Sequence, residues 1–195
     1  MPRMPVDEPA APTSPEPFRP RPPVVIGLVG GVAAGKSTVA ALFAKHGLRH
    51  VDADQLARAV SETPAVLQQV AHELGPELVR DGRLDRAATA AFVFRDPSAR
   101  QRLEAIVHPP VRAAIEAELA AARAAGESVL LDVPLLLENG LVERCDHVVF
   151  VAASDAVRAA RAKARGWVDG ELDRREANQA TLASKRARAE AVVHN

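Results

Sequence analysis

The chain has 195 residues, 48% of them hydrophobic and 3% aromatic, which suits one α/β domain with a small additional subdomain. Its 25 lysines and arginines balance its 25 aspartates and glutamates, so the composition does not support long-range attraction to nucleic acid. The single cysteine, Cys145, excludes a disulfide framework and predicts a small buried side chain in a reducing compartment. No apolar run reaches the length of a membrane helix and no signal peptide is visible, so we predict a cytoplasmic protein without a membrane partner.

Residues 1–23 differ in composition from the rest of the chain. They hold nine of the 15 prolines, and few of their other side chains could contribute to a core. We therefore predict a disordered, partly polyproline II extension, followed by one globular domain over residues 24–195.

A glycine-rich loop follows the first apolar run, residues 24–29. Residues 30–37 fit the pattern G-x-x-x-x-G-K-[ST], and an amphipathic helix follows at once. The residues expected to hold a triphosphate are Gly30, Gly31, Ala33, Ala34, Gly35, Lys36, Ser37 and Thr38. Backbone N–H groups and the helix dipole attract the phosphates, Lys36 adds a charge, and the Ser37 hydroxyl can bind Mg²⁺. This context favours nucleoside triphosphate binding over an ordinary strand-to-helix turn.

Apolar runs and helical patterns alternate after the loop. The predicted strands are residues 24–29, 48–52, 128–131, 147–151 and 191–193. The predicted helices are residues 36–46, 55–61 and 155–165. Residues 64–125 are expected to be helical almost throughout, with breaks at Gly75-Pro76, Asp81-Gly82, Pro97 and Pro109-Pro110. This order predicts a P-loop NTPase three-layer sandwich with a parallel sheet, in which the 64–125 block is a helical insert that binds the second substrate.

Acidic residues mark two of the predicted strand ends. Asp52 and Asp54 lie beside the phosphate loop, where a carboxylate can accept the proton of an attacking hydroxyl. The alternatives are that Asp54 caps helix 55–61 and that Asp52 is a turn residue. Asp132 ends the next strand, where it either helps to hold Mg²⁺ through water or is an ordinary polar residue.

Arginines are concentrated in residues 158–175. Arg158, Arg161 and Arg165 have the i, i+3, i+7 spacing of one helix face. A mobile lid of this kind could close over ATP and supply positive charge to phosphoryl transfer. The alternative is a solvated basic face, because acidic residues lie close by at 169–173.

Several separated motifs, taken together, resemble the dephospho-CoA kinase family over residues 25–195. They are the phosphate loop, Asp-Ala-Asp at 52–54, Leu-Asp-Arg at 84–86, Val-Phe at 93–94, Leu-Glu-Ala-Ile-Val-His-Pro at 103–109, Val-Pro-Leu-Leu-Leu-Glu at 133–138 and Val-Val-His-Asn at 192–195. The loop alone occurs in many unrelated NTPases. The other motifs, in this order, are far more specific.

The resemblance implies transfer of the ATP γ-phosphoryl group to the ribose 3′-hydroxyl of dephospho-CoA, with Mg²⁺. The implied catalytic residues are Asp54, Lys36 and Arg161, with Arg161 and Arg165 also holding the nucleotide. The implied acceptor residues are Asp52, Asp54, Arg86, His108 and Pro109, and the implied metal residues are Ser37 and Asp132. From the residues alone, Arg86 could instead cap the 81–85 turn, and His108 could mark a helix break. We expect small-molecule partners, no nucleic acid, and a monomer or small homo-oligomer.

Two features depart from the family's pattern. Gly-Ser usually precedes the loop's Gly-Lys, whereas this chain has Ala33-Ala34; because a positive φ is costly for alanine, we expect an α or β conformation at Ala33. The family also usually continues through a further helix beyond the position of Asn195. Another metabolite kinase, such as a nucleoside or nucleotide kinase, remains an alternative. A GTPase-type or ATP-driven regulator is disfavoured, since no Asn/Thr-Lys-x-Asp guanine-reading motif is present.

Overall fold

A computed structural model describes residues 22–195, so most of the predicted N-terminal extension lies outside the described residues. The strands are β1 (Val25–Gly30), β2 (Arg49–Asp52), β3 (Val79–Arg80), β4 (Arg83–Leu84), β5 (Val129–Asp132), β6 (His147–Ala152) and β7 (Ala191–His194). The helices are α1 (Lys36–Lys45), α2 (Ala53–Ser61), α3 (Pro64–Glu73), α4 (Arg86–Arg95), α5 (Pro97–Ala125), α6 (Asp155–Ala164), α7 (Glu171–Glu176) and α8 (Leu182–Ala187). Within this part of the chain, no helix is both long and apolar enough to cross a membrane.

Five strands form the predicted parallel sheet, and the structure gives their order as β2-β5-β1-β6-β7. Because the strands are parallel, their carboxyl ends share one edge, where ligands of α/β proteins usually bind. The register pairs Asp52 at the end of β2 with Asp132 at the end of β5. The two predicted acidic positions are therefore direct neighbours.

Helices cover both faces of the sheet, which confirms the three-layer sandwich. On one face, Val39 and Ala40 of α1 pack with Leu28 and Leu130. On the other face, Ile115 of α5 belongs to a cluster with those residues of β1 and β5 that alternate with Leu28 and Leu130 along the strands. Strands buried on both sides explain the short continuous apolar runs of the sequence.

The 64–125 block differs from its prediction in two ways. It contains an antiparallel hairpin, β3–β4, which turns at Asp81-Gly82. The strands have two residues each, too few for an alternating pattern to appear in the sequence.

The second difference is that α5 continues through Pro109-Pro110, where a break was predicted. An internal proline costs a helix about 3 kcal/mol or more. Here α5 is anchored on both sides of the pair, because Ile106 is buried against α3 and Ile115 against the main core. The continuous helix thereby joins the α3–α4 region to the sheet, and His108 is not a helix-break residue.

Cys145 has the packing role expected from the sequence. It is half-buried and packs closely against Gly27, since a Cβ added to Gly27 would lie only 2.7 Å from the Cys145 Sγ. Burial, with a smaller contribution from Asp146, raises the pKa of the thiol to about 12. The thiol is therefore protonated at neutral pH and poorly suited to act as a nucleophile.

Candidate active site

Two positions of the phosphate loop require glycine, because neighbouring atoms lie too close to the backbone to leave room for a Cβ. A Cβ on Gly30 would lie 2.6 Å from the Val151 carbonyl oxygen of the adjacent strand. Gly35 has a φ of 90° at the start of α1, and a Cβ there would lie 2.0 Å from Asn195 Nδ2. That amide donates to the carbonyl oxygens of Ala34 (3.0 Å) and Gly35 (3.4 Å). Asn195 thus holds the loop, a contact that no local sequence pattern indicates.

We expected an α or β conformation at Ala33, and this prediction is wrong, because the φ of Ala33 is 60°, in the left-handed region. The Ala34 N–H donates to the Gly31 carbonyl oxygen (3.2 Å), so Ala33 is the third residue of a tight turn, a position that is left-handed in some turn types. Such a conformation costs an alanine roughly 1–2 kcal/mol. Arg161 opposes this cost, since its Nη1 donates to the carbonyl oxygens of Ala33 (3.5 Å) and Ala34 (2.9 Å).

Lys36 lies over the loop, where its Nζ donates to the Gly31 carbonyl oxygen at 3.3 Å. Burial is the main reason that the pKa of its ammonium group is lowered. Nearby Lys185 and Arg165 lower this pKa further, whereas Asp132 and Asp54 raise it. Lys36 is therefore within electrostatic range of both acidic positions, at a site where an incoming phosphate would favour its charged form.

Arg158 supports the loop from behind and does not belong to the exposed lid surface that its spacing suggested. It is only 6% exposed and forms ion pairs with Asp155 and Glu176. Glu176 also accepts a hydrogen bond from the Val32 N–H (3.2 Å). The pair therefore links α6 and α7 to the phosphate loop.

Lys185 is a second buried cation behind the loop, and sequence reasoning missed it. It is 3% exposed, and its Nζ donates to Gln179 Oε1 (2.6 Å) and to the Gly30 carbonyl oxygen (3.4 Å). Burial lowers its pKa, against the opposing effect of Glu138 and Glu176. Glu138 also accepts from the Ala180 N–H, a structural contact that joins the segment after β5 to the residues before α8.

Arg165 follows α6 and is exposed, in contrast to Arg161 and Arg158. Its guanidinium lies 5.7 Å from the centroid of Trp167, which also contacts Arg175 at 4.4 Å. Arg165 is close enough to Lys36 to lower the pKa of that ammonium group. The structure thus places Arg161 on the loop and Arg165 near it; closure of residues 158–175 as a lid stays a prediction.

Asp52, and not Asp54, caps α2. Its Oδ1 accepts from the N–H groups of Asp54 (2.9 Å) and Gln55 (3.1 Å), and the helix begins at Ala53. The alternative that made Asp54 the cap is therefore wrong. Asp54 lies in the first turn with an exposed side chain that forms no hydrogen bond or ion pair within residues 22–195.

Asp132 is half-buried at the end of β5, with its Oδ2 3.6 Å from His50 Nε2. Burial raises the pKa of its carboxyl group; Lys36 and His50 oppose this effect, and Asp52 adds to it. Ser37 presents an exposed hydroxyl in the first turn of α1. This small oxygen set fits Mg²⁺, which keeps several waters and takes other ligands from phosphate. Within residues 22–195, no three His, Cys, Asp or Glu side chains are grouped as metal ligands.

We expect Asp132→Asn to raise the melting temperature at pH 7. The pKa of Asp132 is higher in the folded than in the unfolded chain. The stability that its protonated carboxyl group contributes is therefore complete below the unfolded pKa and is lost as pH rises through the folded pKa. Asparagine avoids this loss. Thermal unfolding between about pH 4 and pH 8 should show a difference that grows with pH. A lower melting temperature at pH 7 would mean that attraction to Lys36 and His50 outweighs burial.

Two cavities flank Asp54. The apolar cavity, about 610 Å³, lies between α2, α5 and the segment after β5. It is lined by Asp54, His108, Pro109, Arg112, Leu135 and Asn139, with other mainly apolar side chains. The arginine cavity, about 380 Å³, lies between α2 and α4 and is lined by Asp54, Ala57, Arg58, Ser61, Glu62, Leu84 and Arg86.

The cavities bring most predicted acceptor residues together. His108 and Pro109 line one and Arg86 the other, with Asp54 shared, whereas Asp52 is engaged as a helix cap. Asp85 caps α4 through the N–H groups of Ala87 and Ala88, so Arg86 is not needed as a cap. Sequence reasoning missed Arg58 and Arg112; helical i, i+4 spacing from Asp54 could have indicated Arg58.

Comparison with known proteins supports the resemblance. The family profile CoaE, dephospho-CoA kinase, matches residues 24–195. The dephospho-CoA kinase of Deinococcus radiodurans is 47% identical over 184 residues, which cover 93% of this chain and 88% of that protein. That of Anaeromyxobacter dehalogenans is 49% identical over 176 residues, which cover 88% of this chain and 83% of that protein.

Solved structures share the architecture. The crystal structure of TT1252 from Thermus thermophilus matches with a TM-score of 0.76 and 40% identity, covering 90% of each chain. The dephospho-CoA kinase from Campylobacter jejuni has the same fold, with a TM-score of 0.61 and 18% identity over 88% of this chain and 87% of that one. The chain therefore belongs to the dephospho-CoA kinase family of ATP-dependent phosphotransferases.

Proposed function

We propose that this chain transfers the γ-phosphoryl group of ATP to the ribose 3′-hydroxyl of dephospho-CoA and thereby forms coenzyme A. The observation that carries the proposal is the position of Asp54. Its carboxylate lies within electrostatic range of Lys36 and lines both cavities. A hydroxyl held there would face the phosphate loop across the carboxyl edge of the sheet.

The phosphate loop binds the triphosphate of ATP. Its backbone N–H groups and the start of α1 hold the phosphates, with Lys36 and Arg165 adding positive charge. Arg161 keeps the loop in its left-handed turn through the carbonyls of Ala33 and Ala34. Ser37 and Asp132 would hold Mg²⁺, which when bound offsets charge on the phosphate oxygens.

The transfer step requires only one proton transfer by the protein. Asp54 accepts the proton of the 3′-hydroxyl as its oxygen bonds to the γ-phosphorus and the bond to the β-phosphate oxygen breaks, leaving ADP. Lys36 and Arg161 stabilise the charge that spreads over the transferred oxygens. Residues 158–175 act as a lid that excludes water and so limits wasteful hydrolysis.

The same proposal assigns a role to residues 64–125 and a cellular setting to the protein. Residues 64–125 help to form the acceptor site, because the middle of α5 and the start of α4 line the two cavities. The protein works in the cytoplasm as a monomer or small homo-oligomer, with small-molecule partners and no nucleic acid. Its single, half-buried cysteine is consistent with a reducing compartment.

An acceptor screen separates this function from another metabolite kinase on the same scaffold. With Mg·ATP, we expect kcat/KM for dephospho-CoA to exceed that for adenosine, other nucleosides and AMP by about a hundredfold or more, because the larger acceptor fills both cavities. Turnover of nucleosides or AMP without turnover of dephospho-CoA would refute the proposal.

A further inference from the structure

The two cavities beside Asp54 differ in chemistry. In the arginine cavity, Arg58 lies one helical turn after Asp54 on α2, so both side chains lie on the same face. Arg86 approaches from the start of α4 across the cavity. Within residues 22–195, neither guanidinium lies within 4.0 Å of an acidic oxygen. Two exposed arginines that have no ionic partner in this part of the chain are suited to bind an anion.

The remaining charges of this cavity lie at its two ends. Glu62, which follows the last residue of α2, is four residues after Arg58 and about 12 Å of helix rise from Asp54. Arg58 therefore lies between Asp54 and Glu62 along the helix. An anion attached to a group at Asp54 would meet Arg58 before it reached Glu62.

The apolar cavity is different because its one arginine is already engaged. Arg112 Nη2 donates to the Asn139 carbonyl oxygen at 2.6 Å. Most of the other lining side chains are aliphatic or proline, among them Ile115, Val133 and Leu135. This combination suits a flat, mostly apolar ring system that needs few directed hydrogen bonds.

We propose that the acceptor lies across Asp54 with its diphosphate between Arg58 and Arg86 and its adenine in the apolar cavity. The inference rests on the proposed function. In the acceptor, adenine is attached at C1′ of the ribose and the diphosphate at C5′. A 3′-hydroxyl at Asp54 therefore sends its two substituents to different sides. Arg58 becomes a binding residue that selects acceptors carrying a diphosphate.

Calorimetric binding tests this orientation on the full chain saturated with Mg²⁺ and a non-hydrolysable ATP analogue. We expect Arg58→Gln and Arg86→Gln to raise the Kd for dephospho-CoA about ten- to hundredfold each. The Kd for adenosine, which lacks the diphosphate, should rise by no more than about threefold. Arg58→Lys keeps the charge and should recover part of the loss. Arg95→Gln is the matched control, since Arg95 lies at the far end of α4 and outside both cavities.

If Kd values for dephospho-CoA and adenosine rise equally, the arginines contact the adenosine half and the orientation is wrong. Unchanged binding of dephospho-CoA by Arg58→Gln, with normal turnover, overturns this inference and leaves the proposed function standing. Failure of the unaltered chain to bind or phosphorylate dephospho-CoA overturns both. Melting temperatures of all variants identify any loss of folding.

Discussion

Replacing Asp54 with asparagine should lower kcat by about 10²- to 10⁴-fold, the usual contribution of a general base. The affinity for ATP should change by no more than about twofold, because Asp54 lies across the sheet edge from the loop and holds none of its backbone. Folding should survive, since the cap of α2 is Asp52. Steady-state kinetics with dephospho-CoA, together with calorimetric titration of ATP, measures both quantities.

The matched control for this experiment is Asp81→Asn. Asp81 lies at the tip of the β3–β4 turn with a φ of 51°, a conformation that asparagine tolerates well. It should retain its activity and its melting temperature. If Asp54→Asn also kept its kcat, Asp54 would be no more than an acidic residue that interacts with the helix dipole of α2.

Lys36→Met should reduce kcat/KM for ATP by about 10²- to 10³-fold. Lysine is the charged side chain of the loop, and methionine preserves much of its apolar stem while removing the ammonium group. We expect little or no loss of thermal stability, because burial already lowers the pKa of Lys36 and the charged group is poorly solvated in the folded state. Titration of ATP and a thermal melt separate the two effects.

Lys45→Met, at the other end of α1, is the control for this substitution. Its side chain is exposed and distant from the loop, so its kinetics should match those of the unaltered chain. Retention of ATP binding and turnover by Lys36→Met would show that the loop's backbone alone carries the nucleotide, and would remove Lys36 from the mechanism.

The sheet and the phosphate loop could be predicted because their signals are local. The strands β1, β5 and β6 contain short continuous apolar runs, and the loop motif is continuous in sequence. Parallel strands then place Asp52, Asp54 and Asp132 at one edge without any knowledge of side chains. The β3–β4 hairpin is too short to leave such a signal. The α5 helix overrides its proline pair because tertiary packing on both sides outweighs local preference.

The support of the loop could not be predicted, because it depends on contacts between distant parts of the chain. Val32 and Glu176 are 144 residues apart, and Lys185 and Gly30 are 155 residues apart. A sequence pattern assigns Arg158 to an exposed helix face, since nothing local shows that Glu176 will bury it. The left-handed Ala33 is likewise unexpected until the Arg161 contact to its carbonyl is known.

In the proposed reaction, this chain moves a phosphoryl group onto one defined oxygen of dephospho-CoA. The most direct measurement uses ATP labelled in the γ-phosphate, with the product position identified by phosphorus NMR and mass spectrometry. We expect one labelled phosphate per product molecule, on the ribose 3′ oxygen, in a product identical to coenzyme A. Label found only as free phosphate, or on any other acceptor position, would contradict the proposal.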